Sequence, residues 1–528
     1  MAAAVDGTVS ARPTSWQRFA ATSIAGGLLA LAIIPPLVSL VLDLAGSAPS
    51  VGLLASPRLW LLLGRTVLLA SAVTLVTVLA GVPLGLAFAR ASFPGRRALF
   101  ALHIFVAFLP PFLPALGWFR LFGRSGLLAS ESLSAVLFSG PGAVFVLAAC
   151  LSPIVTALTW IGVLGVDPSL EEASRIVAGP MRTAVGILIP IASKAIALAG
   201  LIVFALSVSE LGVPMFLRVD VYPCVVFSRL GGMDFAPGEA AVFVLPLLVI
   251  TVALFALEHW KIGRRAMGVL GVRHGERPAL FHGASAVLPA LAAFAGAAVS
   301  CAPLVALGRH ATVGGSASEV LRWIGDAPWN SLRAAGAAAA VSTGIAIVVG
   351  HAAARGKCLG LALDSLAALA FLVPSTILGI GLIASWNRSL TAWVYGGFGI
   401  LVLGFVAKYT VIATRTVGAV VAQTPISQED AGRTVGAGYF RRLWSIVVRL
   451  NARGIAGAMM LVLVFSLRDL DTAVLFYPPG GEPLTVRIFT LEANGPPSVV
   501  SALALVHVAL TAVVVAAAAL LLRYRRTA

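Results

Sequence analysis

Charge is what this chain has least of. Asp, Glu, Lys and Arg make up only 11% of its 528 residues, against about 25% in a water-soluble globular protein. A soluble fold is excluded on that ground alone. Acidic residues are the scarcer sign, 21 against 37 Lys and Arg, for a net charge of +16. That balance does not point to nucleic acid, because no polar domain is present to carry a binding face. Cysteine is also rare: Cys150, Cys224, Cys301 and Cys358 show no close pairing, which argues against a disulfide framework or a Cys-x-x-Cys metal site. His259, His274, His310, His351 and His507 are scattered, with no His-Glu-x-x-His and no supported Ser-His-Asp order. No enzyme signature is left. The nearest approach to a phosphate-binding loop, "GHAAARGKC" from Gly350, has the wrong glycine spacing and Cys358 where Ser or Thr should hold magnesium.

What the chain has instead is apolar length. Hydrophobic residues reach 59% and the mean hydropathy is +1.00, with runs near the roughly 20 residues that a helix needs to cross a bilayer. Strands of a membrane barrel would alternate polar and apolar residues, so the runs predict helices. Twelve spans are expected, near 19–42, 66–89, 98–119, 134–160, 195–216, 239–258, 283–307, 331–353, 364–386, 393–414, 454–476 and 500–522. Glu210, Arg468, Asp469 and Asp471 fall inside the fifth and eleventh of these, and Lys408 inside the tenth. Basic stretches such as "ARASFPGRRA", "KIGRRAMGVLGVRHGER", "AARGK" and "RYRRTA" occupy alternate gaps. The positive-inside rule makes those gaps cytoplasmic, with both termini on that side. The first run has a basic, polar approach and no early A-x-A site, so it reads as a retained span.

The chain also repeats itself. "RTVLLASAVTLVTVLAGVPLGLAFARA" from Arg65 aligns with "NSLRAAGAAAAVSTGIAIVVGHAAARG" from Asn330, both ending in Ala-Arg. "FLPPFLPALG" from Phe108 matches "FLVPSTILGIG" from Phe371, and "VFALSVSELG" faces "VLVFSLRDLD". Matches in one order, each displaced by roughly half the chain, signify an internal duplication. The expected class is an all-α membrane protein of about twelve transmembrane helices in two parallel six-helix halves. Residues 1–260 form the first half, 261–279 a basic cytoplasmic linker, and 280–528 the second half.

Two short acidic segments belong to the same duplication: "SLEEASRIVAG" at 169–179 and "SQEDAGRTVGA" at 427–437. Each falls in a cytoplasmic gap and reads as a small amphipathic helix. Ser169 with Glu172, and Ser427 with Asp430, have capping-box spacing. Glu171 with Arg175, and Glu429 with Arg433, stand as i,i+4 pairs. Leu170, Ala173 and Val177 share a face, and Gly179 or Gly436 supplies the C-terminal stop.

These segments resemble the EAA loop of ABC-transporter permeases of the binding-protein-dependent importer type. Glu429, Asp430, Ala431 and Gly436 follow that pattern; the first copy has Glu171, Glu172 and Ala173, but Ala178 where the glycine is expected and Gly179 one place late. "LIP" at 188–190 keeps the family's following Leu-Pro, whereas "VRL" at 448–450 puts Arg449 there. The resemblance implies a transport subunit with no catalytic residues and no cofactor of its own. ATP and Mg would be bound by two copies of a separate ABC ATP-binding subunit, on which the two loops dock as coupling helices. An extracytoplasmic solute-binding protein would deliver the ligand, and membrane lipid would surround the chain in a bacterial inner membrane.

Intramembrane charge is costly and tends to face a cavity or a partner. Glu210, Asp469 and Asp471 are therefore candidate pathway residues, with Arg468 as a neighbour for Asp469; the alternative is that their spans end early and the charges are interfacial. The interrupted third span of each half, at "LPPFLPALG" and "LVPSTILGIG", fits a cavity lining or an ordinary kink. Lys408 and Arg415 are expected to snorkel or to meet the ATPase. Two fused halves resemble the ferric-ion, thiamine and aminophosphonate importers. "LRDLDTAVLFYPPGGEPLTVRIFTLEANG" from Leu467 looks most like the ferric members. An ATP-independent secondary transporter with two parallel halves is the rival reading.

Overall fold

The computed structural model describes residues 13–46, 52, 55–124, 126–231, 237–257, 279–312 and 317–524. The basic stretch 261–277 lies outside the described residues, as do His259 and His274. Among the described residues the regular structure is helical, with one isolated parallel bridge between Ala91 and Phe281. The principal helices are α1 (Pro13–Gly46), α2 (Pro57–Arg90), α3 (Arg96–Phe105), α4 (Phe112–Phe122), α5 (Gly140–Leu164), α6 (Pro168–Val177), α7 (Ile189–Ser209) and α8 (Pro237–Leu257). There follow α9 (Val287–Thr312), α10 (Ala327–Ala354), α11 (Cys358–Leu372), α12 (Ser375–Trp386) and α13 (Phe398–Ala422). The last are α14 (Ile426–Thr434), α15 (Ala452–Leu467), α16 (Leu484–Asn494) and α17 (Pro497–Tyr524). Among the described residues eight helices are long and apolar enough to cross a membrane, or up to eleven if each of three bent pairs is one span. The chain is an all-α membrane protein.

Proline explains two of the three bent pairs. Pro110 and Pro111 lack the N–H that would continue the helix, so the chain leaves helical geometry at Leu109 and restarts at Phe112, with α3 and α4 bent by 109°. Pro374 does the same between α11 and α12, bent by 107°. Further on, both copies wind into a π-helical turn, at Ala184–Leu188 and Leu443–Val448, before α7 and α15.

The first helix of each copy packs on the other copy. α1 lies against α12, α10 and α13, while α9 lies against α4, α3 and α2. Small residues let the backbones approach, as is usual between helices in lipid. A Cβ on Gly381 in α12 would stand 2.4 Å from the Pro36 carbonyl oxygen of α1, and one on Gly117 in α4 would stand 2.3 Å from that of Pro303 in α9. The two contacts occupy matching places in the duplication. A buried histidine strengthens one crossing: His103 in α3 lies 2.9 Å from Ser300 Oγ of α9 through Nδ1 and 3.1 Å from Thr156 Oγ1 of α5 through Nε2.

Candidate functional site

The acidic segments are short helices, α6 and α14, each following a 25-residue helix, α5 or α13. Their caps and charge pairs differ from the expectation. Asp167, not Ser169, caps α6, its Oδ1 accepting from the Ser169 N–H at 2.9 Å; Pro425 precedes α14 without a side-chain cap. Neither capping box forms.

Glu171 does not pair with Arg175. It is buried, and its Oε2 lies 2.9 Å from Nη2 of Arg90 at the end of α2, which also donates to the Val163 carbonyl. Glu429 turns inward in the same way, its Oε1 accepting from Arg355 Nε at 2.8 Å. His351 Nε2 reaches Glu429 Oε2 at 3.0 Å, and Arg355 Nη2 holds the Thr424 carbonyl at 3.0 Å. Burial by itself would raise the Glu429 pKa, but the hydrogen bonds and charges of His351 and Arg355 outweigh it and hold the carboxyl at about 2. Being ionised, Glu429 can only accept, so His351 donates. Each acidic helix is thus locked to the arginine at the end of α2 or α10, the second long helix of its copy. Both arginines close the aligned Ala-Arg endings of the duplicated sequence, Ala89-Arg90 and Ala354-Arg355.

The other motif residues face outward. Glu172, Ala173, Gly179, Ala431 and Gly436 are exposed, and Asp430 pairs with Arg433 at 2.6 Å. Gly436 has φ +75°, and the N–H groups of Gly436 and Ala437 bond back to the carbonyls of Arg433 and Gly432, a Schellman stop. Gly179 is extended and plays no such part, α6 ending on the Ala178 N–H bonded to Ser174. Leu170, Ile176, Val177 and Met181 expose apolar surface around α6; Ile426, Val435, Phe440 and Trp444 do so around α14. Clustered apolar exposure of this kind marks an interaction surface.

A second polar constellation sits where the copies meet. α7 ends at Ser209 and α15 at Leu467, so Glu210, Arg468, Asp469 and Asp471 lie just beyond their helices and not within them. They are nonetheless buried or half-buried. Glu210 Oε1 accepts from the Val213 N–H at 3.3 Å and Asp469 Oδ1 from the Thr472 N–H at 2.9 Å, matching turns in the two copies. Asp471 Oδ1 crosses to the N–H groups of Leu211 and Gly212 at 3.3 and 3.2 Å. Arg468 crosses to the Ala107 carbonyl, and Tyr409 donates to Asp469 Oδ2 at 2.9 Å.

Lys408 does not snorkel. It sits in the middle of α13, 3% exposed, and donates to the Val373 carbonyl freed by the Pro374 break, at 2.8 Å. Arg415 lies 3.6 Å from Asp364. Glu210, Lys408, Arg468, Asp469 and Asp471 line a cavity of about 40 Å³, room for about three waters. Among the described residues, no group of three or more His, Cys, Asp and Glu is placed to hold a metal ion.

A duplicated bundle of membrane helices, each copy carrying a locked amphipathic helix outside the bundle and meeting its twin at a buried polar cluster, is the frame of a membrane transport subunit. The chain belongs to the family described as the binding-protein-dependent transport system inner membrane component, whose model matches residues 342–526. It is similar to a probable molybdenum ABC transporter permease of Haloferax volcanii, 30% identical over 199 residues that cover 37% of this chain and 71% of that one. A putative ferric transport system permease of Haemophilus influenzae is 24% identical over 397 residues, 70% of this chain; the match spans 62% of that relative's length. A molybdenum transport system permease of Escherichia coli is 29% identical over 221 residues, 39% of this chain and 96% of that one.

Proposed function

We propose that this chain carries the two pathway-forming permease halves of an ABC importer, residues 1–260 and 280–528 joined by a basic segment at 261–279. In this reading α6 and α14 are coupling helices, each docking on one of two ATP-binding subunits, and both termini are cytoplasmic. The observation that carries it is the repeated lock, Glu171 on Arg90 and Glu429 on Arg355. A push on α6 or α14 is delivered through a buried ion pair to the end of α2 or α10, the second long helix of each copy. Exposed apolar residues supply anchorage and the outward charges supply register. ATP and Mg are bound by the partner.

The polar cavity of Glu210, Lys408, Arg468, Asp469 and Asp471 is the constriction of the pathway, closed in this state by bonds that cross between the halves. Opening it means breaking Asp471 from Leu211 and Gly212, and Arg468 from Ala107. Three carboxylates against two cations favour a cationic ligand, and ferric iron presented by an extracytoplasmic binding protein is the reading we adopt; the ferric relative also aligns with most of this chain. An oxyanion is the second reading, favoured by the two molybdenum relatives and by the buried Lys408.

The test is uptake in proteoliposomes reconstituted with the ATP-binding subunit and the binding protein, comparing the wild type with the double variant Glu210→Ala, Asp469→Ala. Transport should fall while ATPase binding persists; unchanged uptake would remove both residues from the pathway. ATP-independent uptake driven by an ion gradient would instead establish a secondary transporter. Calorimetry of the binding protein against ferric complexes, thiamine, aminophosphonate and molybdate separates the ligands.

A further inference from the structure

Beside α14 lies a cavity of about 410 Å³, one wall of which is the Glu429 lock and whose remaining cations the transport reading does not use. Its walls bring together Arg18 from α1, Arg355 and Lys357 from the end of α10, Arg433 from α14, and Arg442 from the turn that follows. Five cations thus face one lining carboxylate, Glu429, which Arg355 and His351 already hold. Arg433 is engaged by Asp430. Arg442 donates to the Ala437 carbonyl. Among the described residues no direct ion pair holds Arg18, Lys357 or Arg442, the Glu429 and Asp430 carboxylates acting on Arg442 only through space. Three like charges around one hollow repel one another, and a chain this poor in charge has no structural need to gather them there.

The matching place in the first copy shows that the fold does not require this cavity. His351, Lys357, Arg442 and Leu443 correspond to Leu86, Ser92, Thr183 and Ala184 when Arg355 is aligned with Arg90 and the π-helical turn at Leu443 with that at Ala184. There Leu86 and Ala184 are buried against Leu280, Phe281 and Ala286, and the space is filled with apolar side chains. The locking ion pair is common to both copies; the cationic hollow belongs to one. It also stands at the level of exposed aromatic rings, Trp16 and Phe19 on α1 and Phe440 and Trp444 beyond α14. Such rings gather at membrane–water interfaces, and basic pockets between helices at that level suit phosphate-bearing headgroups.

We propose that this cavity is a binding site for a phosphate group, held by Arg18, Lys357 and Arg442. Two sources present that chemistry at a membrane surface, an acidic phospholipid headgroup and free phosphate. The site rests on the side chains of this chain and is independent of which ligand is transported. Because it adjoins α14 and not α6, an anion there stiffens one acidic helix only, through Arg442, whose guanidinium holds the carbonyl just beyond that helix.

The test uses the purified full-length chain in detergent, following tryptophan fluorescence on heating. One arm titrates potassium phosphate against potassium chloride at matched ionic strength; the other titrates phosphatidylglycerol against phosphatidylcholine in mixed micelles. Stabilisation by phosphatidylglycerol identifies the headgroup, and stabilisation by phosphate alone identifies the free anion. Arg18→Gln with Lys357→Gln should weaken the apparent affinity by about fivefold for each charge removed, about 25-fold for both. Arg18→Lys with Lys357→Arg keeps the charges and should bind as the wild type does, which separates ligand loss from misfolding. Arg449→Gln with Arg453→Gln, which removes two exposed charges outside the cavity, should change nothing. Three results would overturn the proposal: no stabilisation of the wild type by either probe, equal weakening by the Arg449 and Arg453 pair, or stabilisation seen only with the ATP-binding subunit present. The last would assign the cavity to an acidic side chain of that partner.

Discussion

Replacing Glu429 by Gln keeps the shape of the side chain and removes its charge. In the folded protein the Glu429 carboxyl stands at about 2 against an ordinary value of 4.5. That difference of about 2.5 units corresponds to about 3 kcal/mol, and because the group borders an open cavity, solvent screening reduces the expected cost to about 2 kcal/mol. The loss should appear locally, as freer opening of α14, since that helix is only Ile426–Thr434 and its one buried side chain is Glu429. Hydrogen exchange of its amides should therefore speed up about 30-fold in Glu429→Gln, with exchange in α6 unchanged. The pH dependence has a definite sign. A depressed carboxyl pKa contributes stability that is fully present above about 4.5 and is lost as pH falls toward about 2. Wild-type protection of α14, corrected for intrinsic exchange, should hold between pH 7 and 5 and decline below 4.5, and the variant should lack that decline. Equal protection in the two proteins at pH 7 would refute the lock.

Arg90→Gln should act as the counterpart, loosening α6 and leaving α14 as it was; the same exchange experiment reads it. Gly381→Ala places a methyl group 2.4 Å from the Pro36 carbonyl oxygen, and overpacking of that kind costs about 1–3 kcal/mol, so the melting temperature should fall and protease should reach α1 sooner. Tyr409→Phe removes one hydrogen bond to the buried Asp469. The expected loss is about 1.5–3 kcal/mol, seen as a lower melting temperature, and a melting curve identical to wild type would count against that bond.

The sequence carried the fold because lipid leaves few choices. Length and apolarity give helices, and the prolines at 110, 111 and 374 mark where α3–α4 and α11–α12 break. The acidic helices were legible too, but not their partners. Glu171 and Arg175, like Glu429 and Arg433, have the local spacing of an ion pair, and local spacing is all that a helical period shows. The actual partners, Arg90 and Arg355, lie about 80 residues away in the chain and become neighbours only when the long helices close on the bundle. The alternatives weighed for Glu210 and Asp469 each held half of the answer. Their helices do end early, yet the charges are buried, because the turn that ends each helix is covered by the other copy. Lys408 does not snorkel for a different reason: the Val373 carbonyl that receives it is made available by a proline break on another helix of the same copy.

The role of α6 and α14 is tested most directly by photo-crosslinking from the outward face of each. Ile176 is 85% exposed and Val435 81%, so a photoreactive residue at either position disturbs no packing. In membranes containing the ATP-binding subunit, both positions should crosslink to that subunit, and the complex should hold two copies of it. Absence of crosslinks from both positions, with the complex intact, would contradict the assignment of α6 and α14 as coupling helices.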